Sequence, residues 1–444
     1  MKAPEISVGI VSGSDLTFTL NGNFHDTASG RLQAGRRTAK VSNGRITVIN
    51  GEQVTQAGEE VTFTPADGNA AGFTLHAVTI GVDFHWQRDE DQSFTGKLKF
   101  IVENGKLTAV NILSIEDYLL SVISSEMSAT SSAELLKAHA VISRSWLLAQ
   151  MDKTARLKAG AEKYTTSFMT EEELTKWYDR EDHSNFDVCA DDHCQRYQGI
   201  TRASTPEVEH AINETYGLVL MFGDAVCDAR FYKCCGGITE LFEHVWEPVS
   251  HPYLQMVIDN DRAPAGFETD LTREENAVRW IKGNPPAFCN TNDREVLSQV
   301  LNNYDQETTD FYRWKVIYTQ QELSDLVRSR TGIDFGTITD LEPLTRGVSG
   351  RIIRLKIRGD KKELIIGKEL EIRKSLSKSH LYSSAFYVEK SVDATGVRFI
   401  LHGAGWGHGA GLCQIGAAVM GAKGYSYEQI LIHYFKNANL KKIY

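Results

Sequence analysis

Residues 111–127 read Asn111-Ile-Leu-Ser-Ile-Glu-Asp-Tyr-Leu-Leu-Ser-Val-Ile-Ser-Ser-Glu-Met127, and residues 134–146 read Glu134-Leu-Leu-Lys-Ala-His-Ala-Val-Ile-Ser-Arg-Ser-Trp146. Ser114 is a helix N-cap type with Asp117 at the third helical position. Ile115, Tyr118, Leu119, Val122 and Ile123 then mark one helical face. Glu126 lies eleven residues after Ile115, and at about 100° per residue this is within about 20° of the same direction. If the helix reaches that far, a carboxyl extends an apolar stripe. Its charged form loses solvation there, so its pKa is expected to rise, as a general acid working near neutral pH requires. The bland alternative is a solvated helix end, with Ser124, Ser125 and Ser128 around an ordinary surface Glu. Ser131-Ser-Ala-Glu134 is a capping-box pattern opening a second helix to about Met151. Leu135, His139, Ile142 and Trp146 form its stripe. Arg144, nine residues after Leu135 and about 180° away, points elsewhere.

Outward from this helical pair the chain reads differently on each side. Ile46–Ile49, Val61–Thr64 and Leu98–Val102 are short strands among Gly, Asn and Asp turn signals, and Asn104-Gly105 is a hairpin turn. Residues 152–200 are polar and carry Cys and His. Short strands return over 205–260, with Gly236-Gly237 as a turn. Residues 268–330 are partly helical, residues 341–397 alternate as strands, and helices run from about Gln414 to Phe435. The expected fold is α+β, mostly strands, in a two-domain arrangement around a cleft. The expected division is a β-rich region over 1–97, a core over 98–261, an accessory region over 262–345, and the rest of the core over 346–444.

Composition narrows the function classes. The 444 residues carry 48 basic and 58 acidic side chains, a net charge of −10, and 24% charged residues, so extended disorder is excluded. The acidic balance argues against a nucleic-acid coat or a basic membrane-surface protein. No run of eighteen apolar residues is present, so no transmembrane segment is expected. The first ten residues hold no apolar h-region and no cleavage site. The seven Cys are an odd number in a long chain, which is not a small secreted disulfide framework.

Five of those Cys fall between 189 and 235. His183, Cys189 and Cys194 have ligand types suited to Zn²⁺, with His193, Cys234, Cys235, water or a carboxylate as candidates for a fourth position. A Cys189–Cys194 disulfide or free thiols are the alternatives. The loop Gly403–Gly411 has five Gly, which permit positive φ and close approach of a ligand to the main chain. Its spacing is not that of a nucleotide-binding loop. An aromatic such as Tyr232 can stack on a pyranose face, although a strand Tyr is commonly core.

The helical pair resembles the sporulation stage II protein D / amidase-enhancer family. So do Cys194-Gln-Arg-Tyr-Gln-Gly199, Phe231-Tyr-Lys-Cys-Cys-Gly-Gly-Ile-Thr-Glu240, Ser349-Gly-Arg-Ile-Ile-Arg-Leu-Lys-Ile357 and the block beginning Gly405-Trp-Gly-His-Gly-Ala-Gly-Leu-Cys-Gln414. Order and spacing agree over most of 98–444, whereas residues 1–97 match only loosely. The resemblance implies a peptidoglycan lytic transglycosylase with Glu126 as the catalytic acid, cutting the MurNAc–GlcNAc bond of glycan strands, preferably denuded ones. It implies that Arg144, Tyr232, His408 and Gln414 serve substrate binding, and it favours zinc on His183, Cys189 and Cys194. The family has Gln where this chain has His139, Ser or Thr at Cys234-Cys235, and commonly Ser at Cys413. An extracytoplasmic location follows, with any leader already removed, and a cell-wall amidase is an implied partner. The competing functions are a non-catalytic, glycan-binding amidase enhancer and a zinc-dependent cell-wall hydrolase.

Overall fold

The computed structural model describes residues 2–66, 71–80, 88–128, 131–161, 164–177, 183–191, 194–201, 204–300, 310–394 and 396–444. The mixed α+β architecture expected from the sequence is observed. The chain forms two compact units: Met1–Ala129, Glu181–Leu218 and Lys442–Tyr444 make the first, and Thr130–Arg180 with Val219–Lys441 the second. Among the described residues, no helix is long and apolar enough to cross a membrane.

The first unit is built on one large, mainly antiparallel sheet. Its order runs Val188–Cys189, Glu5–Gly13, Lys106–Ser114, Lys97–Glu103, Glu60–Pro65, Asp15–Asp26, Leu32–Ser42, Arg45–Asn50 and Gln53–Gln56. Alternation decides the faces: Leu16, Phe18 and Leu20 are buried while their neighbours are not. Phe18, Phe63 and Phe100 meet at ring-centroid distances of 5.0 to 6.3 Å. The hairpin turn read at Asn104-Gly105 is present, with φ of +50° and +73° and Glu103 opposite Lys106. Strand Lys97–Glu103 lies inside this sheet, so residues 1–97 do not form a separate body. Hydrogen bonding to Lys106–Ser114 and Glu60–Pro65 carries the sheet across that boundary.

The sheet feeds helix α1 (Ile115–Glu126) directly. The Ser114 hydroxyl accepts from the Asp117 N–H at 3.1 Å and donates to Asp117 Oδ2 at 2.7 Å. Ile115, Tyr118, Leu119, Val122 and Ile123 are all fully buried, so the stripe read from the sequence is the packed face. Burial at this level contributes roughly 1.5–3 kcal/mol for each large apolar side chain.

In the second unit, helix α2 (Ala133–Lys158) is central. Its cap is Ser132, one residue later than the capping-box pattern places it, because the Ser131 hydroxyl donates to the Gln299 carbonyl at 2.9 Å. The helix also runs seven residues past Met151. From Leu135 to Leu147 only Lys137 is not buried. The one-sided stripe is therefore replaced by burial all round, against helices Gln414–Ala422 and Tyr427–Tyr434 and the strand Ala225–Val226. Arg144, expected on a face of its own, is fully buried.

The remainder of this unit holds a five-stranded sheet ordered Ser167–Met169, Glu173–Lys176, Glu363–Gly367, Ile352–Gly359 and Ile338–Arg346, and a three-stranded sheet of Arg313–Thr319, Gly396–Ala404 and Phe386–Asp393. They share one apolar core that includes Trp314, Leu323, Ile357 and Phe386. The polar stretch 152–200 is thus divided, its strands 167–176 belonging to the second unit and residues 183–200 to the first.

Candidate functional site

In the first unit, Glu126 is the last residue of α1 and is partly exposed. The helix does reach it, and Met127 closes the end with its N–H on the Ile123 carbonyl. The segment 183–198 is fastened to both the sheet edge and this helix. Val188 and Cys189 pair in parallel with Val8 and Gly9. Asp187 Oδ2 accepts from the Ser7 N–H at 2.8 Å and from its hydroxyl at 2.6 Å. A Cβ on Gly9 would lie 2.6 Å from the Phe186 ring, and that ring stacks on His183 at 4.5 Å.

On the helix side, the Gln198 N–H donates to Ser121 Oγ at 3.0 Å and the Tyr118 hydroxyl donates to Gln195 Oε1 at 3.3 Å. Tyr197 stacks on Tyr118 at 5.1 Å and donates to Asn111 Oδ1 at 2.5 Å. The motif Cys194–Gly199, singled out in the sequence, is therefore a clamp on α1. Burial pushes the Tyr118 phenol far above its usual range, and the charges of Cys194, Cys189, Tyr197 and Glu126 add to the shift.

His183, Cys189 and Cys194 are brought together, with one donor atom from each within 4.8 Å of the others. His183 Nε2 is 3.6 Å from Cys194 Sγ. Tetrahedral Zn²⁺ with Zn–N near 2.0 Å and Zn–S near 2.3 Å spaces such a pair at about 3.6 Å, so these residues fit the metal. The Cys189 N–H donates to Cys194 Sγ at 3.5 Å, the kind of contact that supports a thiolate. His193 lies outside the described residues, and Cys235 belongs to a different cluster in the second unit.

In the second unit the four residues expected to bind substrate lie largely inside the protein. Gln414 and His139 are buried, and the Gln414 amide donates to His139 Nε2 at 3.0 Å. Burial, with the Lys233 charge adding to it, pushes His139 down to about 3, so the ring is neutral and can accept. The His139 ring meets Phe231 edge-on at 4.5 Å. His408 donates from Nε2 to the Phe231 carbonyl at 3.0 Å and accepts the Ala410 N–H on Nδ1 at 3.2 Å. Both ring nitrogens are committed to main chain, and burial lowers its pKa well below the ordinary His value. Tyr232 is buried and touches the His408 ring edge at 5.0 Å, so it offers no pyranose platform. Tyr232, His408, Gln414 and His139 are thus assembled around the parallel pair Phe231–Tyr232 and Leu412–Cys413. Arg144 contributes its guanidinium within the unit, 3.5 Å from the Ala140 carbonyl.

The Gly-rich loop was expected to expose main chain to a ligand; instead, it closes on the protein's own groups. A Cβ on Gly409 (φ +90°) would lie 2.6 Å from the guanidinium carbon of buried Arg351, and one on Gly407 (φ +102°) 2.8 Å from Tyr232 Cβ. Arg351 in turn donates to the Gly407 carbonyl at 3.0 Å and to Ser349 Oγ at 3.0 Å.

Two features escaped the sequence reading. Glu240 is fully buried and accepts from Leu241 N–H, Val348 N–H, Ser349 N–H, the Ser349 hydroxyl and His244 Nδ1–H. Burial alone would raise its pKa, but the His244 and Ser349 contacts hold it below the usual carboxylate value. Arg230 forks onto Asp228 at 2.7 and 3.0 Å and lies 4.0 Å over the Trp246 ring, which itself abuts His408. The Val348 and Ser349 partners of Glu240 are more than a hundred residues away and leave no local signal, whereas Arg230 and Asp228 are only two residues apart and it is the Trp246 contact that the fold supplies.

Residues 103–222 match the family model described as Stage II sporulation protein, and residues 240–411 match one described as Domain of unknown function (DUF8618). An uncharacterized protein of Brachyspira hyodysenteriae (strain ATCC 49526 / WA1) is 25% identical over 406 residues, 90% of this chain and 83% of that protein. The amidase enhancer of Bacillus subtilis (strain 168) is 23% identical over 335 residues, 72% of this chain and 40% of its own. Stage II sporulation protein D of the same organism is 21% identical over 334 residues, 75% of this chain and 76% of its own. These matches support the resemblance to the stage II sporulation protein D / amidase-enhancer family that the motifs indicate. The first match spans α1, α2 and the His183–Cys194 cluster; the second spans Glu240 and the whole Gly-rich loop.

Proposed function

We propose that this protein is a peptidoglycan lytic transglycosylase in which Glu126 is the single catalytic carboxyl. The observation that carries the reading is its position: a partly exposed acid closing a helix whose preceding face is wholly apolar and buried. In this reading its carboxyl, when protonated, gives its proton to the oxygen linking MurNAc to GlcNAc. The C1–O bond breaks, GlcNAc leaves as an alcohol, and an oxocarbenium-like centre forms. The carboxylate then takes the proton of the MurNAc C6 hydroxyl, whose oxygen bonds to C1. The product is a 1,6-anhydro sugar, and Glu126 is protonated again. A water-using glycosidase needs a second carboxylate flanking the bond. Glu240, a buried acid of the second matched block, has both oxygens committed and fits a structural role.

His183, Cys189 and Cys194 would hold Zn²⁺, which with soft thiolate ligands supplies structural cross-linking of the segment that clamps α1. Arg144, Tyr232, His408 and Gln414 act in this reading as positioning residues that hold the Gly-rich loop and its strand pair. The substrate places the protein outside the cytoplasmic membrane, acting on glycan strands, preferably denuded ones, with a cell-wall amidase as a partner. Digestion of glycan strands followed by mass spectrometry tests the activity. Anhydro-terminated fragments are expected from wild type and none from Glu126→Gln.

The name of the Bacillus subtilis amidase enhancer favours a second reading. A non-catalytic glycan-binding module would raise amidase turnover while releasing no glycan fragments of its own.

A further inference from the structure

We infer a second metal site, wholly inside the second unit, in which Cys235, Cys289, Cys413 and Asp259 surround one thiophilic divalent ion of the zinc class. The four side chains are buried, and one donor atom from each lies within 4.8 Å of all the others. Three sulfurs and one carboxylate oxygen are the tetrahedral donor set that soft divalent ions take, and structural zinc sites are closed in this way. Cys235 Sγ and Cys289 Sγ are 3.4 Å apart, near the spacing of about 3.8 Å for two thiolates across one tetrahedral zinc. Cys235, Cys289 and Cys413 take part in no disulfide.

The surroundings are those of a metal site as well. The Cys235 N–H donates to Cys413 Sγ at 3.3 Å and the Gly237 N–H donates to Cys235 Sγ at 3.3 Å, contacts that stabilise negative sulfur. Asp259 is oriented by its own hydrogen bonds: Oδ1 accepts from the Tyr434 hydroxyl at 2.5 Å and Oδ2 from the Cys289 N–H at 2.8 Å. Such outer contacts orient metal ligands generally. Gly416 is required here, because a Cβ would lie 2.3 Å from the Tyr434 hydroxyl and 2.4 Å from Asp259 Oδ1. The Tyr232 hydroxyl, buried and without a hydrogen-bond partner, is in the electrostatic neighbourhood of Cys235, Cys413 and Asp259.

The ligands come from four separate segments: the turn after Phe231–Tyr232, the bridge at Ile258, the loop 283–293 and the start of helix Gln414–Ala422. One ion here ties the Gly-rich loop to the region over 262–300. This site is distinct from the His183, Cys189 and Cys194 group and does not depend on the proposed activity.

The test is elemental analysis of the full chain purified without chelator. The variant H183A/C189S/C194S is expected to keep one equivalent of zinc or iron, and wild type to hold two. Adding C235S and C413S to that variant is expected to abolish binding. If that combination fails to fold, cobalt loading of H183A/C189S/C194S is read instead, with thiolate-to-cobalt charge-transfer bands expected. Absence of metal and of cobalt bands in H183A/C189S/C194S would overturn the proposal. So would a Cys235–Cys289 disulfide found by alkylation of the denatured, unreduced protein.

Discussion

Replacing Glu240 by Gln separates a structural carboxylate from a catalytic one. Oε1 accepts from Leu241 N–H at 2.9 Å, His244 Nδ1–H at 2.8 Å and Val348 N–H at 3.2 Å, and Oε2 from Ser349 N–H at 3.1 Å and the Ser349 hydroxyl at 2.5 Å. Whichever way the new amide turns, its NH₂ faces at least one backbone N–H. With the NH₂ at the Oε2 position the Ser349 hydroxyl can rotate to accept, leaving the Ser349 N–H orphaned at about 1–3 kcal/mol. The three remaining bonds lose their ionic character, each weakening by about 1 kcal/mol. Relief of burying a charge offsets part of this. A net loss on the order of 3 kcal/mol lowers the melting transition of this unit by about 6 °C, at roughly 2 °C per kcal/mol for a unit of this size. Differential scanning calorimetry reads the shift, and glycan digestion below the transition is expected to proceed. An unchanged melting temperature together with lost digestion would place Glu240 in the chemistry and remove the single-carboxylate scheme.

Acid should loosen the second unit through His139. Its folded pKa near 3 lies below the ordinary 6.5, so its stabilising contribution is full above about pH 6.5 and is lost as pH falls towards 3. At pH 4.5 the loss is roughly 2–3 kcal/mol, and His139→Gln is expected to flatten that part of the stability–pH curve in urea titrations. Gly409→Ala, at φ +90° and against Arg351, should destabilise by about 2 kcal/mol or more in the same assay. Substituting His183 and Cys189 by Ala and Ser should cost one equivalent of metal and speed amide exchange over residues 183–198. Unchanged exchange there would contradict the clamp.

The helical pair was legible because its signals are local. Capping at Ser114 and a 3.6-residue stripe from Ile115 to Ile123 describe α1 as it is. The Asn104-Gly105 turn was legible for the same reason. The periodicity argument failed on α2 because that helix is enclosed on all sides, so the direction of Arg144 relative to one stripe says nothing about exposure. The Gly-rich loop was recognisable as a place of close approach, but the sequence does not say what approaches; it is Arg351 and Tyr232. Cys235 and Cys413 lie 178 residues apart, and only the fold makes them neighbours. Helix Glu369–Ser375 interrupts a stretch read as strands, since one short turn pattern is easily lost among alternating residues.

The central claim is that one carboxyl performs both proton transfers. The most direct measurement is mass spectrometry of defined, denuded glycan strands incubated with wild type and with Glu126→Gln, both checked for native folding by circular dichroism. Wild type is expected to yield fragments ending in 1,6-anhydro-MurNAc and the variant to bind the strands without cutting them. Anhydro products from the variant, or reducing-end products from wild type, would contradict it.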